Sequence, residues 1–310
     1  MKMRISPSLS RLLTFLLLSM LPILGLAGSA PAAAATLVVD NDGQATALNC
    51  NSGVAAYSNI QPAVDAALSG DTIVVCPGIY DEQVSVTTSQ LTIRGAGAGQ
   101  TVLRPAGLAN NAVNVFGNPV KAVLLVQNAA NVTIANLSID GSLGDSGALY
   151  APPCPILPFF TGMYLSNSSV VVDTVHVSGI QSGTACSFAI RAEVGDVSVK
   201  TSLIDVYGTT GIACAFDRTR CSLTGNTIRG RGPVDDELQA GIQIRSGAGG
   251  KIAGNVITDH AFIGAHGVPQ SAVGIFLVYA TPTSNPFIVR DNVFSGNQVN
   301  VQRISTAAAF

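Results

Sequence analysis

Residues 134–141 read IANLSIDG, and the same order of residue kinds returns as VDTVHVSG at 172–179, LTGNTIRG at 223–230, IAGNVITD at 252–259 and VRDNVFSG at 289–296, with a looser copy at 199–206. Each copy sets an apolar residue, two small or polar ones, a fourth position that is often Asn, then polar, apolar and usually Gly. The fourth positions are Leu137, Val175, Ser202, Asn226, Asn255 and Asn292, separated by 38, 27, 24, 29 and 37 residues on subtraction of those numbers. Such spacings lie within the roughly 20–45 residues of a solenoid repeat. The recurrent Asn suits a turn near left-handed helical geometry and an amide ladder between coils, which is its expected role at Asn226, Asn255 and Asn292.

Every copy after the first follows a second apolar run, at 162–166, 188–191, 212–216, 241–245 and 274–278. Short β-branched runs with no helices between them cannot build a βαβ sheet, but they can stack as coils whose strands pair with their equivalents above and below. The same punctuation precedes the repeats, where Thr36–Val39, Thr72–Val75, 83–86, 91–93 and 102–103 are separated by Pro, Gly and Asn. One segment, 60–68, carries a helical period: Ser58 or Asn59 is placed to cap it, Pro62 sits in its first turn, Val64, Ala67 and Leu68 share a face, and Gly70 stops it. The expected fold is all-β, a single-stranded parallel β-helix with an N-terminal capping α-helix, laid out as a leader (1–35), a cap (36–70) and coils (71–310).

The leader is read from Lys2, Arg4 and Arg11 before the apolar run 12–26, with Ala33 and Ala35 at the cleavage preference. It implies export and a product without a membrane span. Six cysteines, Cys50, Cys76, Cys154, Cys186, Cys214 and Cys221, all follow the leader, an even number suited to disulfides in an oxidising compartment. Proximity suggests Cys50 with Cys76, Cys154 with Cys186, and Cys214 with Cys221. Charged residues are 11% and the net charge is −2, which argues against a nucleic-acid partner.

The segment 60–95 (IQPAVDAALSGDTIVVCPGIYDEQVSVTTSQLTIRG) resembles the capping helix and first coil of the pectin-lyase-like superfamily, pectin methylesterases and bacterial right-handed β-helix repeat proteins above all. Ile60-Gln61, Ala63, Ala66-Ala67, Gly70-Asp71-Thr72-Ile73, Pro77-Gly78, Tyr80, Glu82 and Gly95 carry the resemblance. It implies a right-handed coil and work on acidic polysaccharides. The catalytic motifs of pectin methylesterases, polygalacturonases and mannuronan epimerases are missing, Asp235-Asp236 being the only echo, so no family catalytic residue transfers.

Strand alternation supplies a site instead. With Met163, Leu165, Phe188, Ile190, Ile212, Cys214, Ile242, Ile244, Ile275 and Leu277 turned inward, one outward column holds Tyr164, Ala189, Ala213, Gln243 and Phe276. The next holds Ser166, Arg191, Ala215, Arg245 and Val278, with Glu193 a step further, near Asp217. The insertions 141–160, 229–239 and 259–272 precede the same strand and bring Tyr150, Asp235, Asp236, Glu237, His260 and His266 to one edge of a groove. Arginines there suit a uronate carboxylate. Arg245, His260 or His266 would be the base of a lyase; Asp217 with Glu193 or Asp235 would be the carboxyl pair of a hydrolase. Tyr164, Arg191, Glu193, Gln243, Asp235, Asp236 and His266 would bind substrate, and His176 is structural. No cofactor is expected beyond a weak Ca2+ ion on Asp235, Asp236 and Glu237, and no zinc ligand set occurs. The expected partner is a polysaccharide or cell-surface glycan bound by a monomer, with a noncatalytic glycan- or protein-binding module as the alternative.

Overall fold

The computed structural model describes residues 33–43, 45, 50, 56–143, 157–182, 186–264, 271–278 and 287–304. Residues 1–32 of the leader and the expectations resting on Tyr150, Cys154 and His266 fall outside these residues. The strands wind as a right-handed parallel β-helix with three faces. Among the described residues every strand pair is parallel except the short hairpin of Ala112–Val113 on Pro119–Gln127.

The first face stacks Thr36–Val39, Thr72–Val75, Thr92–Gly95, Val132–Ala135 and Val170–Asp173, then the second halves of Ser187–Lys200 and Thr210–Thr224, then Gly249–Ala253 and Phe287–Arg290. The second is an eight-stranded sheet running from Gly78–Tyr80 to Val293–Ser295. The third stacks Val84–Val86, Pro119–Gln127, Phe159–Ser166, the first halves of the two long strands, Ala240–Arg245, Val273–Val278 and Val299–Ile304. Because the long strands turn the corner unbroken, the first and third faces join as one sixteen-stranded sheet.

The register is the one read from the repeats: Ile134, Val172, Val199, Leu223, Ile252 and Val289 are successive partners. Inside this column lies the ladder. Asn226 Nδ2 donates to Asn255 Oδ1 at 3.0 Å and to Val199 O at 2.8 Å; Asn255 Nδ2 donates to Asn292 Oδ1 and to Leu223 O, both at 2.9 Å. Ser202 extends it, its amide reaching Asn226 Oδ1 at 3.0 Å. The left-handed residue is not the ladder Asn itself but the one before it, Gly225, Gly254 or Asp291, which turns the corner so that the amide points inward.

Three details differ from the sequence reading. The helix spans Ile60–Ala66, and its first amides go not to Ser58 or Asn59 but to Glu82 of the next coil, with Ile60 N to Oε1 at 2.6 Å and Gln61 N to Oε2 at 2.9 Å. Leu68 lies beyond the helix and is 64% exposed, so it does not share the buried face of Val64. On the third face Phe188 points outward. Ala189 and Ile190 both enter the core, because the strands bend at Gly162, Ala189, Gly211, Gly241 and Gly274 and lose strict alternation there. A Cβ on Gly211 would lie 2.6 Å from Gly241 O.

Cys50–Cys76 and Cys214–Cys221 are disulfides; Cys186 is disulfide-bonded too, and its expected partner, Cys154, lies outside the described residues. Asn255→Ala should cost about 2–3 kcal/mol, since it strands buried amide and carbonyl groups on two coils, whereas Asn292→Ala, at the partly exposed end of the ladder, should cost less. Guanidinium unfolding of the two variants checks this order.

Candidate functional site

The outward columns of the third face are set by the strand register. One runs Tyr164, Arg191, Ala213, Gln243, Phe276, Gln302, and the next Ser166, Glu193, Ala215, Arg245, Val278, Ile304, with rungs about 4.8 Å apart. The strand Ser187–Lys200 pairs two residues along from the expected alignment. Arg191 therefore lies beside Tyr164, and Glu193 shares a column with Arg245 rather than approaching Asp217.

Tyr164, Arg191 and Glu193 do come together, but onto one another. Glu193 is fully buried and receives Arg191 Nε at 2.6 Å, Arg191 Nη2 at 2.5 Å, Tyr164 Oη at 2.7 Å and the Val115 amide at 3.1 Å. The Arg191 guanidinium packs 4.9 and 4.6 Å from the ring centres of Phe159 and Phe188. Burial, then the Glu193 carboxylate, pushes the Tyr164 phenol well up, so it stays a donor. Val115 belongs to an excursion between Thr101–Leu103 and Pro119–Gln127 that sequence reading did not associate with the site; its Asn and Gly residues looked like ordinary turn punctuation.

Arg245 stands two rungs from this closed pair and has no ion-pair partner among the described residues. Partial desolvation, then the Arg191 charge, lowers its pKa, and Glu193 opposes this. An arginine stays protonated regardless, so the third face keeps a positive charge here with no acidic partner among the described residues.

Beside it lies a cavity of about 250 Å³ lined by Thr209, Thr210, Gln243, Phe276, Gln302 and Ser271 among others. Behind Thr209 is Glu237, 8% exposed, whose Oε1 accepts the Thr209 hydroxyl. Burial raises the Glu237 carboxyl to about 7 against the opposing Thr209 bond and Arg231 charge. Gly208 leaves room for this arrangement: a Cβ there would meet Ser187 Oγ at 2.1 Å and Glu237 Oε2 at 2.4 Å. Thr209 and Thr210 were not singled out from sequence, where a Thr-Thr pair reads as ordinary strand.

The other expected residues scatter. Asp217 is exposed at the corner after the third face, and Asp235 is exposed on the edge. Asp236 is held by Arg231, at 2.9 and 2.8 Å, so Asp235, Asp236 and Glu237 do not converge on an ion. His260 is inside the coil and does not face the groove: Asp259 takes φ +64°, which resets the alternation and turns the imidazole inward. There Nδ1 donates to Asn297 Oδ1 at 2.7 Å while Nε2 accepts the Tyr207 hydroxyl, and burial lowers it to about 4. His176 pairs with Asp205 at 2.9 Å on the second face. The stretches 227–234 and 256–262 are strands for most of their length, not free loops.

No protein-family model matches this chain, and no curated protein matches it significantly. Solved structures do. A pectin methylesterase from Yersinia enterocolitica is 15% identical with a TM-score of 0.42, over 80% of this chain and 94% of that one. The pectin methylesterase of Aspergillus niger is 17% identical with a TM-score of 0.44, over 91% and 93%. A GH136 lacto-N-biosidase from Eubacterium ramulus is 11% identical with a TM-score of 0.42, over 84% and 68%. At these values no residue and no activity passes from them to this chain.

Two outcomes test the electrostatics. Glu193→Gln and Arg191→Met should each lose about 3–5 kcal/mol in guanidinium unfolding, because each leaves a buried partner uncompensated, and replacing both should recover part of that loss. Glu237 binds its proton more tightly folded than unfolded, so stability should fall by on the order of 3 kcal/mol as pH rises from about 4.5 to above 7. Glu237→Gln should remove that contribution from the stability–pH profile.

Proposed function

We propose that this chain is an exported protein that binds an acidic polysaccharide along the third face and cleaves or modifies it, with Arg245 as the carboxylate contact. The observation that carries the reading is Arg245 itself: a guanidinium without an acidic partner among the described residues, beside a cavity edged by the amides of Gln243 and Gln302 and the ring of Phe276. A guanidinium offers a uronate carboxylate two parallel donors, the amides pair with ring hydroxyls, and the aromatic edge supplies apolar contact. The disulfides suit an oxidising compartment, and no described helix is long and apolar enough to cross a membrane.

A binding module without turnover is the second reading. One observation favours it: Glu193 is saturated by Arg191, Tyr164 and Val115, so the pairing of Asp217 with Glu193 lacks a free carboxyl on one side.

Arg245→Ala should weaken binding of oligogalacturonate, alginate or hyaluronan oligomers about tenfold, the equivalent of 1.4 kcal/mol, and flatten the salt dependence of the affinity. Calorimetry at two ionic strengths checks this, and unchanged affinity in the variant would rule the reading out. Unsaturated products or new reducing ends in the same mixtures separate an enzyme from a binding module.

A further inference from the structure

The cavity beside Arg245 differs from its surroundings in carrying no charged side chain among its described lining residues. Its volume of about 250 Å³ lies just below the roughly 300–1,000 Å³ of sites that take drug-sized ligands, which suits one ring. Phe276 and Gln243 are neighbours in one outward column, and Gln302 follows on the next rung, giving an apolar plate between two amides.

One atom in it is out of balance. Thr210 is 1% exposed, lines the cavity, and its Oγ1 has no hydrogen-bond partner among the described residues. A buried hydroxyl without a partner costs about 1–3 kcal/mol unless a ligand or solvent group supplies one. Thr209, next to it, is already committed: its hydroxyl donates to Glu237 and its oxygen accepts the Ser187 amide at 3.1 Å. Gln239 is also committed, its Nε2 donating to Tyr207 O at 2.8 Å and Gly208 O at 3.1 Å. The groups left to a ligand are one unsatisfied hydroxyl, two amides and an aromatic ring.

An acidic ring is a poor occupant. Behind Thr209 lie Glu237, with Arg231 Nη2 3.9 Å from its Oε2, and Asp236, which takes the Arg231 fork for itself. A carboxylate entering the cavity would be desolvated with no cation among the described lining residues and a carboxyl group behind the wall. Arg245, by contrast, is two residues along the strand from Gln243, about 7 Å away.

Resting on the reading of the third face as a glycan groove, we propose that this cavity is a subsite for an uncharged, hydroxyl-rich sugar ring, so that the polymer recognised carries neutral rings next to acidic ones. The uniform polyuronates are then the weaker ligands. Thr210 Oγ1 donates to a ring oxygen or hydroxyl, and the face of the ring lies on Phe276.

The experiment compares hyaluronan oligosaccharides, in which neutral and acidic rings alternate, with oligogalacturonate and alginate oligomers of equal length, by calorimetry on the full chain. The alternating oligomer should bind at least tenfold tighter. Thr210→Val, nearly isosteric, and Phe276→Ala, each checked for folding by circular dichroism, should bring the ligands within about twofold of each other. Arg245→Ala should weaken all of them. The preference should widen as pH rises through about 7, where Glu237 becomes charged, and stay flat in Glu237→Gln. Equal or tighter binding of the uniform polyuronates, or an unchanged preference in Thr210→Val and Phe276→Ala, overturns the subsite while leaving the groove in place. Absence of binding to every probe, or indifference to Arg245→Ala, overturns the groove and the subsite together.

Discussion

Every coil hydrogen-bonds to the coils above and below it and scarcely to itself. With strands about 4.8 Å apart and side chains alternating, a residue has as close neighbours those at the same phase of the next turn, 24 to 39 residues away in Ser202–Asn226 or Asn128–Asn167. The inward columns fill with Val, Ile and Leu, and the backbone groups that a short isolated strand would leave open are satisfied. The asparagine ladder belongs to the same constraint: each amide bridges the coils on either side, so three residues hold several backbone groups that side chains of other kinds would leave unpaired.

That stacking also decides what the third face offers. Arg191 and Glu193 are on one coil and two residues apart, a spacing that puts both side chains on the same side of the strand. Covered by Phe159, Phe188 and the Val115 excursion, they neutralise each other and serve the fold. Arg245 is two rungs on, past the small side chains of Ala213 and Ala215, and keeps its charge. The cavity takes its polarity from residues whose hydrogen bonds are already assigned, Thr209 to Glu237 and Gln239 to the backbone, which leaves Thr210 as the group without a partner among the described residues.

Much of the architecture was legible in the chain because repetition exposes register. The alignment of Ile134, Val172, Val199, Leu223, Ile252 and Val289 is the observed pairing, and Asn226, Asn255 and Asn292 form the ladder assigned to them. The site was less legible. Alternation places Tyr164, Gln243 and Phe276 in one outward column, but it cannot foresee the bend at Ala189 that puts Phe188 outside, or the register that sets Arg191 beside Tyr164. Nor can it foresee the left-handed Asp259 that turns His260 inward, since both are local breaks in a period-two pattern.

The sequence by itself determined the parallel stacking, the phase of most strands and the chemical character of the outward columns, because these follow from residue kinds repeated at the interval of one coil. Only the tertiary structure decided which charges are spent and which are free. That depends on contacts between side chains many residues apart, Glu193 with Val115 and Tyr164, Thr209 with Glu237, and on corners that redirect a side chain by one position. Electrostatic and hydrogen-bond partners are chosen by distance in space, and the corner geometry that sets this distance leaves no periodic trace in the chain.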